Sequence, residues 1–263
     1  MFLKDFGQRF GQHVQGRGEV KNYIKIIQLK YYIRYYNRNN MVLNFLKKIF
    51  KILFRKSILT SQEIDFHVPD RDEFKKGYEM YNQKERRGYV YFEANKIIST
   101  NWGNPKLMAQ GVERLIRSWN RFFANFNFDE LSECIDKNIK ELSSFRKRNI
   151  MGLKEADCEN IKKLFNEFLI ALRRSSDDVK SPVSVAKALG LLVPDFFPIW
   201  DSNIAYKYGY LYIQDPAADY FLFCKKMKLM AQSVKGYVPS QDDRSLLKRI
   251  DEYNYSKYTT YWI

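Results

Sequence analysis

The chain has 263 residues, with 45 lysines and arginines against 30 aspartates and glutamates and a formal net charge of +15. A chain of this length is able to bury a hydrophobic core in one large domain or two small ones. It contains neither a cleavable signal peptide nor the roughly 20-residue apolar run of a membrane-spanning helix, which argues against secreted and integral membrane proteins. We therefore expect a soluble intracellular protein, cytoplasmic or associated with the nucleoid.

Cysteine and histidine, the residues that most often bind transition metals, are scarce and scattered. Cys134, Cys158 and Cys224 form no C-x-x-C pair, and His13 and His67 stand alone. Structural zinc sites and iron–sulfur clusters take their ligands from closely spaced groups of such residues. The sequence therefore predicts no metal and no other cofactor, and it predicts free cysteines in a reducing compartment.

The positive charge is concentrated near the N-terminus, where residues 1–57 hold 13 basic and two acidic residues. Residues 1–20 are rich in Gly and Gln and lack hydrophobic periodicity, which predicts disorder. Residues 21–56 are predicted to form a basic amphipathic helical extension, and residues 57–68 a linker. Such helices bind anionic membranes, nucleic acid or a protein partner. The alternative is that the apolar face of this extension packs on the rest of the chain.

Residues 69–263 are predicted to form an all-α body, because apolar residues recur at helical spacing and the connecting segments are short. Prolines, glycines and capping side chains set the boundaries, as at Pro69-Asp70 and Pro239-Ser240. Residues 89–98 are ambiguous, since their β-branched and aromatic side chains fit either a helix or a short strand. The predicted helices span 70–86, 105–125, 129–142, 156–174, 182–191, 216–234 and 240–257.

Residues 193–209 read V-P-D-F-F-P-I-W-D-S-N-I-A-Y-K-Y-G, an apolar run that ends at Asp201. We expect an extended stretch, a turn at Pro198 and a short helix that begins at Asp201-Ser202 and ends at Gly209. Asp and Ser accept hydrogen bonds from the free N–H groups of a helix's first turn, and the helix dipole stabilises an ionised acid there. Asp201 is therefore either a positioned, charged carboxylate with a chemical role or only a helix cap.

This order of features resembles the catalytic region of helix-hairpin-helix DNA glycosylases, in which a similar stretch reads F-P-V-D-T-H-V before a helix that ends in Gly. Here F-P-I is followed by one extra residue, Trp200, and then by Asp201. The resemblance covers roughly residues 95–215 as an order of helices. It implies the two-lobed fold of that superfamily and, as partner, double-stranded DNA with a damaged or mismatched base. It also gives Asp201 the role of stabilising the cationic sugar, or activating a water, as a flipped base leaves.

Two motifs of that superfamily are not matched. The hairpin turn of Leu-Pro-Gly-x-Gly type is replaced by K-S-P-V-S, where Ser181 and Ser184 at a helix N-terminus are the candidates to hold a phosphate. The Schiff-base lysine of the bifunctional members has no residue-for-residue counterpart. Lys180 and Lys187 are the nearest candidates. Lys187 is expected on the surface of its helix, so Lys180 is the candidate, in an enzyme expected to be monofunctional.

A base extruded from duplex DNA needs a pocket with aromatic walls and with polar groups for its edge. For every aromatic candidate the alternative is packing in the core. The candidates for this pocket are Trp119, Asn120, Trp200 and Tyr206.

Basic side chains on the helix over 105–125 are the candidates to bind DNA phosphates, with a solvated helix face as the alternative. Two other functions stay open for the whole chain. One is a non-catalytic helical protein that binds nucleic acid, and the other is a protein that binds a membrane or a partner through residues 21–56. The basic candidates are Arg114, Arg117 and Arg121.

Overall fold

The computed structural model describes residues 66–238 and 244–263, which belong to one compact unit, Ile64–Ile263. Several predictions concern residues outside these two ranges. They are the disorder of 1–20, the basic extension over 21–56, most of the linker 57–68, and the cap at Pro239-Ser240.

The described residues form nine α-helices, with short 3-10 turns between some of them and a π-helical turn after the last, and they contain no β-strand. A single antiparallel bridge joins Phe126 to Arg174. The all-α class predicted from the sequence is therefore confirmed for this part of the chain. The helices are α1 (Arg71–Lys84), α2 (Gly88–Thr100), α3 (Pro105–Trp119), α4 (Phe128–Arg146), α5 (Cys158–Ala171), α6 (Pro182–Leu192), α7 (Ser202–Lys207), α8 (Pro216–Val234) and α9 (Leu246–Asn254).

Two boundaries differ from the predicted ones in ways that shape the site. The segment 89–98 is helical, because its buried residues Val90, Tyr91, Ala94 and Ile98 follow helical spacing on the inner face of α2. The helix predicted over 105–125 is shorter.

Helix α3 ends at Trp119, where Asn120 leaves helical geometry at φ −147° and a 3-10 turn, Arg121–Phe123, follows. The chain therefore turns at Asn120, beside the start of α6.

Capping side chains begin most of the helices. Three helices also carry proline at the first position, where the missing N–H is not needed. The last helix starts later than predicted, at Leu246, because Ser245 is its cap: the Ser245 hydroxyl accepts from the Lys248 N–H at 3.1 Å. The capping residues of the helices around the site are Asn104, Asn127, Ser181, Asp201, Asp215 and Ser245.

The segment between α6 and α7 runs through the centre of the core. Phe196 and Phe197 are buried, and their rings lie 4.6 and 5.0 Å from the ring of Phe145 on α4. Trp200 is fully buried, with its ring 5.2 Å from the ring of Tyr220 on α8. This packing fixes the backbone that leads into Asp201.

At Gly190, α6 and this segment approach each other closely. A Cβ at Gly190 would lie 2.5 Å from Ile199 Cγ1 and 3.0 Å from the Phe197 carbonyl oxygen. Gly190→Ala should therefore lower the free energy of unfolding by about 1–3 kcal/mol, the usual effect of overpacking a core. Urea denaturation measures this loss. Gly152→Ala is the control, since a Cβ there meets nothing within 4 Å. Equal midpoints for the two variants would contradict the expectation.

Candidate active site

Asp201 caps the N-terminus of α7 with one carboxylate oxygen and is held by a distant residue through the other. Its Oδ1 accepts from the backbone N–H groups of Asn203 and Ile204 at 2.9 and 2.8 Å. Its Oδ2 accepts from the hydroxyl of Thr259 at 2.6 Å, and the side chain is only partly buried. These three donors fix the carboxylate in orientation.

Lys187 lies in the interior of the protein, so the expectation of a surface position was wrong. Only 7% of it is exposed, and its ammonium group donates to the Trp119 carbonyl at 2.8 Å. Helix α6 packs against α2, α3 and α5, and every residue from 184 to 192 is buried. A helix enclosed on all sides has no surface face for a lysine to occupy.

The environment of Lys187 favours its uncharged form. Burial lowers the pKa of Lys187 to about 8, and the carboxylates of Asp201 and Asp251 partly oppose this fall. About a tenth of such a group is uncharged at pH 7, whereas an ordinary lysine is almost wholly protonated. The uncharged amine is the form that attacks carbon. The fixed carboxylate of Asp201 acts electrostatically on this amine.

Trp119 and Asn120, two of the predicted pocket residues, end α3 beside this pair. The Trp119 ring stacks on Tyr91 at a centroid distance of 6.1 Å, and its N–H donates to the Arg87 carbonyl at 3.2 Å. The Asn120 amide donates to the hydroxyl groups at the start of α6. Both side chains are half-buried. They connect the end of α3 to the helix that carries Lys187.

Ser181 and Ser184 are buried, which corrects their predicted role as phosphate ligands. Their exposures are 3% and 0%. The Ser181 hydroxyl accepts from the Ser184 N–H at 3.2 Å, and Asn120 donates to the two hydroxyls at 3.1 and 2.8 Å. Both hydroxyl groups are therefore engaged in holding α6 to α3, out of reach of a phosphate.

The remaining predicted site residues occupy three different environments. Trp200 is fully buried, and its N–H donates to the Pro182 carbonyl at 3.2 Å. It is thus a core residue, and the expectation that its ring lines an open pocket is corrected. Tyr206 is half-buried on α7, and Lys180 is exposed just before the cap of α6.

Two of the three arginines predicted to bind phosphates form ion pairs with glutamates. Arg114 pairs with Glu93, and Arg117 pairs with Glu113 at 2.7 Å. Arg121 is exposed and has no ion-pair partner among the residues that the structure describes. The next residue, Phe122, is 78% exposed. An accessible cation and an accessible aromatic ring therefore lie side by side on the 3-10 turn next to the site.

Sequence reasoning missed a group of charged residues on α9 that lies next to Lys187. Lys248 is 2% exposed, and its ammonium group lies 2.7 Å from Asp251 Oδ2 and 3.7 Å from Glu252 Oε1. Burial raises the pKa of Asp251, and Lys248 acts against that rise. These residues lie off the apolar stripe of α9, where a helical pattern predicts solvent, so the local sequence carried no signal for them.

Within residues 66–238 and 244–263, no group of three or more His, Cys, Asp and Glu side chains is arranged to hold a metal ion. None of the helices in these ranges combines the length and the apolar character required to cross a bilayer. Comparison with models of protein families, with curated proteins and with solved structures found no match to this chain.

Proposed function

We propose that this protein is a DNA N-glycosylase-like enzyme in which Asp201 and Lys187 act together at the sugar of an extruded nucleotide. One observation carries the proposal. Lys187 is a buried lysine with a lowered pKa, and the carboxylate that is fixed at the start of α7 acts on it electrostatically. Perturbed amines paired with a positioned acid are typical of catalytic sites. The resemblance of the segment around Asp201 to helix-hairpin-helix glycosylases supports the same reaction.

The reaction begins with cleavage of the bond between the base and C1′ of its sugar. The bonding electrons leave with the base, which takes a proton from solvent, and positive charge develops on the sugar. The carboxylate of Asp201 stabilises that charge. The lone pair of Lys187 forms a bond to C1′, and the nitrogen then releases a proton. Opening of the sugar ring, with protonation of its oxygen, gives an imine that water later hydrolyses.

Lys187 rather than Lys180 supplies the amine in this scheme, and the enzyme is therefore able to react with an abasic site as well as with a damaged base. Lys180 is exposed to solvent just before the cap of α6, outside the buried environment that holds Lys187. Substrate has to uncover Lys187, since only 7% of it is exposed. The half-buried ring of Trp119, 5.8 Å from the Lys187 ammonium, is the side chain whose movement would do so.

Double-stranded DNA is the proposed partner because accessible cations and an accessible aromatic ring lie on the turns next to this site. Arg121 and Lys180 are exposed, and Phe122 is 78% exposed. The hydrogen bond from Asn120 to Ser181 brings their two turns together. Cations bind phosphates, and exposed aromatic side chains stack on bases or insert between them.

Asp201→Asn tests the proposal. Release of base from duplexes with oxidised, deaminated and alkylated bases should fall by on the order of 100-fold or more, because the charge that stabilises the sugar is lost. The fold should persist, since Asn is also a good helix cap. Asp215→Asn is the matched control: Asp215 caps α8, accepting from the Ala218 N–H at 3.0 Å, and should keep full activity.

Two results would contradict this function. One is equal base release by the Asp201→Asn and Asp215→Asn variants. The other is salt-dependent duplex binding without release of any base from the panel, which would identify a non-catalytic nucleic-acid-binding protein.

A further inference from the structure

Two buried lysines each place their ammonium group near the indole ring of Trp119. The ammonium group of Lys187 lies 5.8 Å from the centroid of the Trp119 ring, and that of Lys248 lies 5.0 Å from the same centroid. They belong to different helices, α6 and α9. We call Lys187 and Lys248 the lysine pair. Two like charges in one low-dielectric region raise each other's free energy, so one of them tends to lose its proton.

The hydrogen bonds decide which member of the lysine pair stays charged. Lys248 donates to Asp251 at 2.7 Å and to the Tyr81 hydroxyl at 3.4 Å, and Glu252 lies 3.7 Å away. Among the described residues, the hydrogen-bond partner of Lys187 is the neutral Trp119 carbonyl. Burial disfavours the charged form of both, but only Lys248 has carboxylates in contact that outweigh burial and raise its pKa.

We propose that Lys248 is a positioning residue for Lys187, in which a permanently charged ammonium group favours the free amine of its neighbour. This role rests on the proposed use of the Lys187 amine in catalysis. Lys248 itself touches no reacting atom in this scheme. It acts through its charge, and the carboxylates of α9 hold that charge in place.

The charged groups around Lys187 act in both directions. The carboxylates Asp201 and Asp251 favour its ammonium form and have the larger influence, and the cations Arg87 and Lys248 favour its free amine. Arg87 is itself paired with Glu85 at 3.1 Å. Lys248 and Asp251 therefore have opposite influences on Lys187 although they contact each other. A general loosening of the core would shift the Lys187 midpoint in the same direction in both variants. Shifts in opposite directions therefore distinguish electrostatic coupling from loosening.

The test follows the Nζ resonance of Lys187 against pH in ¹⁵N-lysine-labelled full-length protein, with Lys187→Met to assign the signal. The midpoint of Lys187 should lie near pH 8 in the unsubstituted protein. Lys248→Met should raise it by up to about one pH unit, and Asp251→Asn should lower it by at least as much. Lys226→Met is the control, because Lys226 is another partly buried lysine that donates to a backbone carbonyl, that of Tyr208 at 3.1 Å. It should leave the midpoint unchanged.

A double variant, Lys248→Met with Asp251→Asn, covers the case in which a single variant unfolds. It leaves no isolated charge at either position, and its midpoint should lie above that of Asp251→Asn alone. Admission of water to the core would instead raise the midpoint in both single variants. That outcome, or an unchanged midpoint in Lys248→Met, overturns the proposal.

A second measurement separates this inference from the proposed function. Borohydride reduction traps an imine between the protein and a duplex that contains an abasic site, and the pH dependence of trapping should move with the Lys187 midpoint in each variant. Absence of trapping with the expected midpoint shifts would overturn the catalytic use of Lys187 and leave its electrostatic coupling to Lys248 intact. If the pH dependence of trapping is the same with and without Lys248→Met, the coupling is overturned and the catalytic use of Lys187 remains.

Discussion

Replacement of Lys187 by methionine should give a protein that is more stable and no longer reacts with DNA. Methionine fills the same buried volume without a charge, so the penalty for burying an ammonium group disappears. Since burial lowers the pKa of Lys187 to about 8 from its ordinary 10.5, the folded state disfavours the charged form. After allowance for the lost hydrogen bond to Trp119, the gain in the free energy of unfolding at pH 7 should be about 2 kcal/mol.

The stability gain of Lys187→Met should depend on pH in a defined direction. Below about pH 8 the folded and unfolded states both carry the proton, and the full penalty is present. Between pH 8 and 10.5 the unfolded state binds the proton more tightly than the folded state, so the penalty falls as pH rises. Urea denaturation of both proteins at pH 7 and pH 9.5 measures the change. A gain that grows with pH would contradict the assigned protonation.

The same variant should form no borohydride-trapped complex with an abasic duplex, because it has no amine to attack C1′. Lys180→Met is the matched control. It removes an exposed lysine whose proposed contact is with phosphate, so at saturating duplex it should change neither trapping nor stability. If trapping persists in Lys187→Met and is lost in Lys180→Met, Lys180 is the reacting lysine, as the sequence analysis expected.

Lys248→Met should have the largest effect on stability, a loss of about 3–5 kcal/mol, because it leaves Asp251 buried without its cation. Asp251 is 5% exposed and lies 2.7 Å from the Lys248 ammonium. Adding Asp251→Asn to Lys248→Met should recover most of that loss, because a neutral pair replaces a broken ion pair. Glu252 keeps Arg249 at 3.0 Å in either variant.

A double-mutant cycle from urea denaturation measures the coupling between the two residues, and it should be on the order of 2 kcal/mol or more. Lys75→Met with Glu79→Gln supplies a comparison on α1, where the same kinds of charge are exposed and 3.8 Å apart. Its coupling should stay below about 0.5 kcal/mol. Additive effects of Lys248→Met and Asp251→Asn would show that the buried pair contributes no specific interaction.

Local patterns in the sequence were sufficient for the class of the fold and for most helix positions. Pro105, Pro182 and Pro216 begin helices where their missing N–H group is tolerated, and each predicted start was confirmed. The end of α3 was missed, because the departure of Asn120 from helical geometry is tied to its contacts with Ser181 and Ser184. Contacts between residues so far apart in the chain leave no local pattern.

Only part of the candidate site could be predicted from the sequence, for a related reason. Asp201 was identifiable because helix caps have a local signature. Lys187 was assigned to the surface because helix-face reasoning assumes that each helix has a solvated side. The sequence of α6, P-V-S-V-A-K-A-L-G-L-L, contained a usable signal, since one charge in an otherwise apolar or small-residue helix indicates enclosure on all sides. Lys248 offered no such signal, because its helix is rich in charge.

The orientation of the Asp201 carboxylate depends on a residue 58 positions further along the chain. Thr259 closes a π-helical turn, Tyr255–Thr259, which follows α9 directly. A π-helical turn amounts to one residue inserted into an α-helix. If the same residues were wound at ordinary α-helical pitch, with none deleted, the extra residue would no longer be absorbed and Thr259 would be rotated by about 100° around the axis. The hydroxyl of Thr259 would then point away from α7, so the phase of the final helix determines whether the acid keeps its third donor.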